Sequence, residues 1–202
     1  NFEKDLQNFD LAAAIAISKI RTFVAMIYRY QKGLPFIFPK QELPFCDNFL
    51  HMMFSEPYKD YIAMPEVAKA LNLVLLLHAD HEQNCSTSTV RMVGSSNANL
   101  FVSISAGVAA LFGPLHGGAN QAVLEMLEGI QADGGDVARF VQRVKDKEPG
   151  VKLMGFGHRV YKNWDPRAAI VKKVAKDVLA SLDVVDPLLD LAMQLEEAAL
   201  AD

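Results

Sequence analysis

The chain has 202 residues, 51% of them hydrophobic, and a formal net charge of -4, which is enough to bury a sizeable core in one or two domains. Abundant Leu, Val, Ile and Phe exclude an intrinsically disordered chain, and the acidic balance excludes a general nucleic-acid binder. No uninterrupted apolar run approaches the roughly 18 residues of a membrane span, no secretory signal is visible, and Cys46 and Cys85 are too few for a disulfide framework, so a reducing, cytoplasmic setting is expected.

Apolar residues at three- and four-residue spacing from Leu11 to Tyr30 predict a helix that Gly33-Leu34-Pro35 stops. "LPFIFPKQELPF" is proline-rich and reads as a loop, with room for a short ribbon near residues 35–40. Asp47 is placed to cap a short helix through Phe54. Pro65 suits the first turn of a long buried helix, "PEVAKALNLVLLLHADHE". The next stretch, "EQNCSTSTVRMVGSSNAN", is small and polar and reads as the polar end of a buried helix followed by a turn. "LFVSISAGVAALFG" is apolar on all faces, which predicts a central, buried helix ended by Gly113-Pro114.

"LHGGANQAVLEMLEGI" then starts a helix with Asn120 near its first turn. "DVARFVQRVKDK" is amphipathic and stops at Pro149-Gly150. Asp165-Pro166 supplies a cap and a first-position proline for "RAAIVKKVAKDVLASL", and Pro187 opens a last helix to about Ala201. No segment alternates with period two for more than a few residues, so the expected fold class is all-α. The chain opens at Asn1 and stops at Asp202 inside a helical pattern, and reads as an internal piece of a longer protein.

Residues 139–176 hold 11 of the 20 Lys and Arg against three acids, whereas 177–202 has seven acids and no Lys or Arg. A basic segment in an acidic chain suits an anionic ligand, though a solvated helix face explains Lys172, Lys173 and Lys176 as well.

Three histidine sites stand out. His78 and His81 lie in "HADHEQN", at i and i+3. The pattern is not H-E-x-x-H and no Cys pair supports it, so no metal is expected. His78 follows "VLLL" and reads as a core histidine bonded to backbone; His81 is the better ligand candidate. His116 stands among Gly113, Gly117 and Gly118 just before a helix start, where glycine permits close approach and free N–H groups favour developing negative charge. His158 follows Gly155 and Gly157, with Arg167 nine residues on. The Arg167 fork suits a carboxylate, and an ion pair with Asp165 is the plainer alternative. "GFG" is not a dinucleotide fingerprint, because Val160 occupies the place of the third glycine. There is no G-x-S-x-G and no convincing cysteine nucleophile.

Taken together, "LHADHEQNCSTSTVRMVGSS", "GPLHGGANQAVLEML" and "LMGFGHRVYKNWDPRA" resemble citrate synthase, closest to the bacterial type, in order and spacing. "YRYQKGLPFIFP" and "NFLHMMF" extend the resemblance over essentially the whole chain. The resemblance implies condensation of acetyl-CoA with oxaloacetate and water to citrate and CoA through an enol or enolate, the first step of the tricarboxylic acid cycle. It implies that His116 hydrogen-bonds the thioester carbonyl and that His158 polarises and protonates the oxaloacetate ketone. His81 and Arg167 would bind oxaloacetate, and the loop Lys152, Leu153, Met154, Gly155, Phe156 and Gly157 would wrap the CoA nucleotide.

Acetyl-CoA would be a substrate, with no cofactor. Residues 1–118 would be part of a large helical domain and 119–202 part of a smaller one that closes over the substrates, with a hinge near "HGGAN". The enzyme would be a homodimer or a hexamer-type assembly of dimers, because one substrate-binding arginine comes from the neighbouring subunit. The family's catalytic aspartate and two further arginines lie beyond Asp202, and Asp165 and Asp177 do not replace the base by motif. A chain ending there is therefore expected to be inactive alone. Some bacterial members use a cysteine after "MMF" in NADH inhibition; here Tyr58 stands in that block without a cysteine. Two other readings remain open: a 2-methylcitrate synthase acting on propionyl-CoA, and a helical scaffold of the same fold whose chemistry is lost.

Overall fold

A computed structural model describes residues 2–157, 161 and 164–201. Among them the regular structure is helical, as the sequence predicts, and the ribbon expected near residues 35–40 is absent: the one bridge pairs Glu56 with Lys59. The chain divides into two compact units, residues 1–108 with 171–178, and residues 109–170 with 179–202.

The first unit begins with α1 (Phe2–Gln7) and α2 (Phe9–Gln31). Gly33 ends α2 as expected. Its φ of +66° lets its N–H reach Tyr30 O (3.0 Å) and the Leu34 N–H reach Arg29 O (2.9 Å), closing a Schellman motif. By length and composition α2 would pass for a membrane span. Lys19 and Arg21 interrupt its middle, however, and Ala25 and Arg29 are buried in the unit.

Arg29 is 2% exposed, and its guanidinium is met by backbone carbonyls. Its Nη1 donates to Met53 O (2.9 Å), Ser55 O (2.8 Å) and Met52 O (3.5 Å), and its Nε donates to Pro35 O. The Met52 and Met53 carbonyls close α3 (Phe45–Phe54), so the guanidinium caps that helix where its dipole is negative. Asp47 was expected to cap α3 but lies inside its first turn. The cap position is Pro44, whose fixed φ of -57° suits entry into the helix.

α4 (Pro65–Leu77) packs on α3 and opens with its proline as predicted. It ends at Leu77, five residues short of expectation. The polar stretch after it is not a helix end but a helix of its own, α5 (Cys85–Gly94), started by Asn84, whose side chain accepts from the Thr87 N–H (2.9 Å). α6 (Leu100–Leu111) meets α5 through small residues. Ser86 Oγ donates to Gly107 O (2.9 Å), and a Cβ on Gly107 would lie 2.5 Å from Val90 Cγ2. The expectation that α6 is buried on all sides fails: only Ser103 and Gly107 are buried, and Phe101, Val102, Val108 and Leu111 are about half exposed.

The second unit is built on α7 (Gly118–Ala132), α8 (Val137–Lys145) and α10 (Pro187–Leu200). Leu127, Ile130, Val137, Phe140, Leu191 and Leu195 form one core between them. Asp136 and Asp186 cap α8 and α10 through side-chain oxygens. In chain order α9 (Pro166–Leu182) follows α8, capped by Asp165 as the sequence predicts, and its residues 171–178 belong to the first unit.

Two outcomes follow from this packing. Arg29→Met should lower stability in urea unfolding by about 3 kcal/mol, since several buried carbonyls lose their donor. Arg29→Lys should recover only part of that, because an ammonium lacks the planar fork; full recovery would show that charge alone matters. The two cysteines should also separate. Cys85 is exposed, whereas burial pushes the Cys46 thiol up, with the Asp47 charge adding to it. One thiol should therefore react quickly with an aromatic disulfide reagent and the second only on unfolding. A raised folded pKa means that this contribution to stability is intact below the ordinary cysteine value and is lost as pH rises from there through the higher folded one.

Candidate functional site

His78 and His81 do not share a helix. His78 is the residue at the end of α4, and its Nδ1 donates to Val74 O (2.6 Å). The predicted backbone bond is therefore present, but the ring is exposed rather than in a core. His81 follows in a tight turn, exposed, with its ring centroid 5.5 Å from that of His78. The turn is closed by the Asp80 carboxylate, which accepts from the Glu82 N–H (2.8 Å) while Glu82 takes a left-handed φ of +53°. Asn84 then starts α5. His81 is thus held between two side-chain caps, Asp80 and Asn84, that sequence reading did not single out. The signal was there, since Asx residues compete for backbone N–H groups wherever helices break.

Among the described residues no group of three or more His, Cys, Asp and Glu side chains converges as a metal site. One other histidine has a suggestive neighbourhood. The buried His51 lies 2.8 Å from Ser55 Oγ and 3.9 Å from Asp60 Oδ1. Both contacts fall on Nδ1, so the ring cannot relay a proton from one to the other. Ser55 Oγ also accepts from the Tyr61 N–H, and the residue is 1% exposed. This set is structural.

In the second unit His116 stands on the turn between α6 and α7, half-buried. Gly113 O accepts from the N–H groups of His116 (3.0 Å) and Gly118 (3.2 Å), and Leu111 O accepts from the Gly117 N–H (3.0 Å). The turn thereby satisfies the last carbonyls of α6. Gly117 is the residue before α7, which starts without a side-chain cap, so His116 lies beside the positive end of that helix.

The 152–157 loop is pinned against the same helix. The Met154 N–H approaches Met126 Sδ (3.3 Å), and a Cβ on Gly155 would lie 3.1 Å from Val123 Cγ2. Val151 and Leu153 pack against the apolar core, so Leu153 presents backbone rather than side chain to a ligand. Lys152, Gly155, Phe156 and Gly157 are exposed, and Met154 is half-buried. Gly155 and Gly157 hold φ of +88° and +77°, which a side chain would strain. Beside the loop a half-open cleft of about 440 Å³ is lined by Met126, Ile130 and Phe140 and by Asp133, Arg143 and Lys152. Arg143 is committed there to Glu148, with two bonds of 2.8 Å.

His158 lies outside the described residues. Arg167 does not, and the ion pair weighed as its plainer explanation is present. Its Nε and Nη2 donate to both Asp165 oxygens at 2.6 to 3.1 Å, its guanidinium lies 5.6 Å from the Tyr161 ring centre, and the hydrogen bond with Asp165 raises its pKa. Asp165 also caps α9 through the Arg167 N–H (2.9 Å). One carboxylate thus orients the fork and starts the helix. The structure therefore brings His116 and the 152–157 loop onto one helix, and places His81 in the other unit.

The family described as Citrate synthase, C-terminal domain, matches residues 2–202. The chain belongs to the citrate synthase family. It is 58% identical over 193 residues to citrate synthase 1 of Mycobacterium tuberculosis, covering 96% of this chain and 45% of that protein. It is 57% identical over 199 residues to citrate synthase of Corynebacterium glutamicum, covering 98% and 45%. Its fold is similar to crystal structures of citrate synthase from Thermotoga maritima (TM-score 0.72, 36% identity, 90% of this chain and 47% of that one) and Pyrobaculum aerophilum (TM-score 0.77, 35% identity, 99% and 51%). The chain spans about half the length of these citrate synthases.

If the Asp80 carboxylate closes the turn that carries His81, Asp80→Ala should lower stability in urea unfolding by about 1 kcal/mol, the worth of one hydrogen bond. Asp80→Asn keeps the acceptor oxygen and should stay close to wild type. Equal effects of the two would show that charge, not the turn, is what matters.

Proposed function

We propose that the full-length protein condenses acetyl-CoA with oxaloacetate and water to give citrate and CoA, and that this chain supplies part of its site. The observation that carries the reading is the closed turn that sets His116 at the amino end of α7, with the 152–157 loop against the same helix. In this reading the His116 imidazole donates to the thioester oxygen as negative charge develops on it, which is electrostatic stabilisation by a preorganised donor. The exposed backbone of 155–157 and Lys152 meet the CoA nucleotide.

His81 and Arg167 bind oxaloacetate, the Arg167 fork exchanging or sharing its Asp165 partner with a substrate carboxylate. His158 acts on the ketone. Holding both reactants in one site supplies several kcal/mol of the barrier. Proton removal from the acetyl methyl group is assigned to an aspartate C-terminal to residue 202, so the chain by itself is inactive in this reading. The division at residue 118 into a large and a smaller closing domain, the dimeric assembly, the cytoplasmic setting and the absence of a cofactor belong to the same proposal.

Thiol release from acetyl-CoA by the full-length enzyme tests it. Release should require oxaloacetate, exceed that from propionyl-CoA, and fall at least about a hundredfold in His116→Ala. Faster release from propionyl-CoA would make the protein a 2-methylcitrate synthase. No release from a folded protein with either thioester would leave a scaffold.

A further inference from the structure

The glycines around His116 suggest, from sequence, a backbone cleared for a ligand. The geometry gives one of them a different reason. Gly117 has ordinary helical dihedrals, φ -67° and ψ -26°, so no unusual conformation demands a glycine there. What demands it is space. A Cβ on Gly117 would come closer to the Leu111 carbonyl oxygen than real Cβ atoms come to any neighbour, and within 2.9 Å of Leu111 Cδ1 and 3.0 Å of Cγ. The neighbour is backbone at the end of α6, which has no rotamer to change.

Its companions differ. A Cβ on Gly118 would meet Gly113 O at 3.3 Å and Pro114 Cβ at 3.7 Å, and one on Gly129, farther along α7, would meet nothing within 4 Å. The close approach at Gly117 is also what brings its N–H to 3.0 Å from Leu111 O, one residue after His116.

We propose that Gly117 is a positioning residue for His116: its missing side chain lets the turn close on the Leu111 carbonyl, and that closure fixes where the imidazole stands. This rests on the reading of His116 as the donor to the thioester oxygen. Adding one methyl group at 117 forces the turn open and displaces the imidazole without touching any atom of the substrates. A displacement of about 1 Å in a catalytic group costs on the order of a hundredfold in rate.

The test uses the full-length enzyme. Gly117→Ala should lower kcat about a hundredfold while oxaloacetate affinity, measured by calorimetry, stays within about twofold. Gly129→Ala, on the same helix, should keep wild-type kcat. The deciding measurement is the pair: Gly117→Ala combined with His116→Ala should be no slower than His116→Ala alone, because the glycine acts only through the ring. Losses that multiply, a near-normal kcat in folded Gly117→Ala, or a parallel loss of oxaloacetate affinity would each overturn the proposal. Should Gly117→Ala not fold, Pro114→Gly loosens the same turn with no added atom. Its kcat should fall, again without adding to His116→Ala, and an unchanged kcat would overturn the proposal. Full activity of His116→Ala would instead overturn the assigned role of His116 itself, and the positioning proposal with it.

Discussion

A buried cation answered by backbone carbonyls organises the first unit. An arginine taken out of water costs several kcal/mol unless its donors are met. At Arg29 they are met by the end of α3 and by Pro35 in the loop after α2. Carbonyls at a helix terminus are themselves short of partners, so the two needs cancel. The result fixes the end of α3 to α2 and holds the 34–44 loop over the junction. Asn48 continues the pattern by exchanging hydrogen bonds with the Lys40 backbone. α4 packs on α3, and the turn carrying His81 begins where α4 stops. The candidate residue of this unit, His81, is therefore several steps removed from the contact on which its placement depends.

The second unit works by the opposite principle. Its core is wholly apolar, and its polar work is done at element ends by Asp136, Asp165 and Asp186. Alternation matters most at 151–153. Val151 and Leu153 turn inward, which leaves Lys152 outward and hands the chain to two glycines with positive φ. A loop held by two apolar anchors presents its backbone in one conformation, so nothing need be ordered when that backbone meets a partner. The exposed cations of the basic segment gain little energy from neighbours in water, and two half-buried ones are already paired: Arg143 with Glu148 and Arg167 with Asp165. Net charge over a segment therefore overstates what is available to a ligand.

Much of this was legible in the residues. Pro65, Pro166 and Pro187 mark helix starts because proline fixes φ, Asp165 because its carboxylate caps the first turn, and Gly33 marks a helix end because it takes a positive φ freely. The all-α class followed from spacing alone. α5 was missed because Ser and Thr are poor helix formers in isolation; here they suit a helix that must approach Gly107 closely, a tertiary fact. Asp47 is misread as the cap because the helix starts earlier, at Phe45, after Pro44, whose fixed φ suits the entry, and this puts Asp47 inside the first turn. Arg29 gave no warning, since its partners are carbonyls, which every residue has. Of the candidate site residues, His81, His116 and Arg167 are visible in the sequence by type, whereas Asp80 and Leu111 enter only through turn geometry.

α6 shows how far a polarity pattern reaches. A helix apolar on every face calls for neighbours on every face. Among the described residues α6 meets α5 at Ser103 and Gly107, while Phe101, Val102 and Val108 stay about half exposed. Across from them, Ile20 and Phe23 of α2 line a shallow apolar groove with Phe101, Ile104 and Val108. The pattern in the residues reports the burial a helix requires; among the described residues only the side that small side chains allow to close is covered. The same distinction separates the glycines at 107 and 117 from those at 155 and 157. The first pair is required by a neighbour in space and the second by a dihedral angle, and only the second requirement is written locally in the chain.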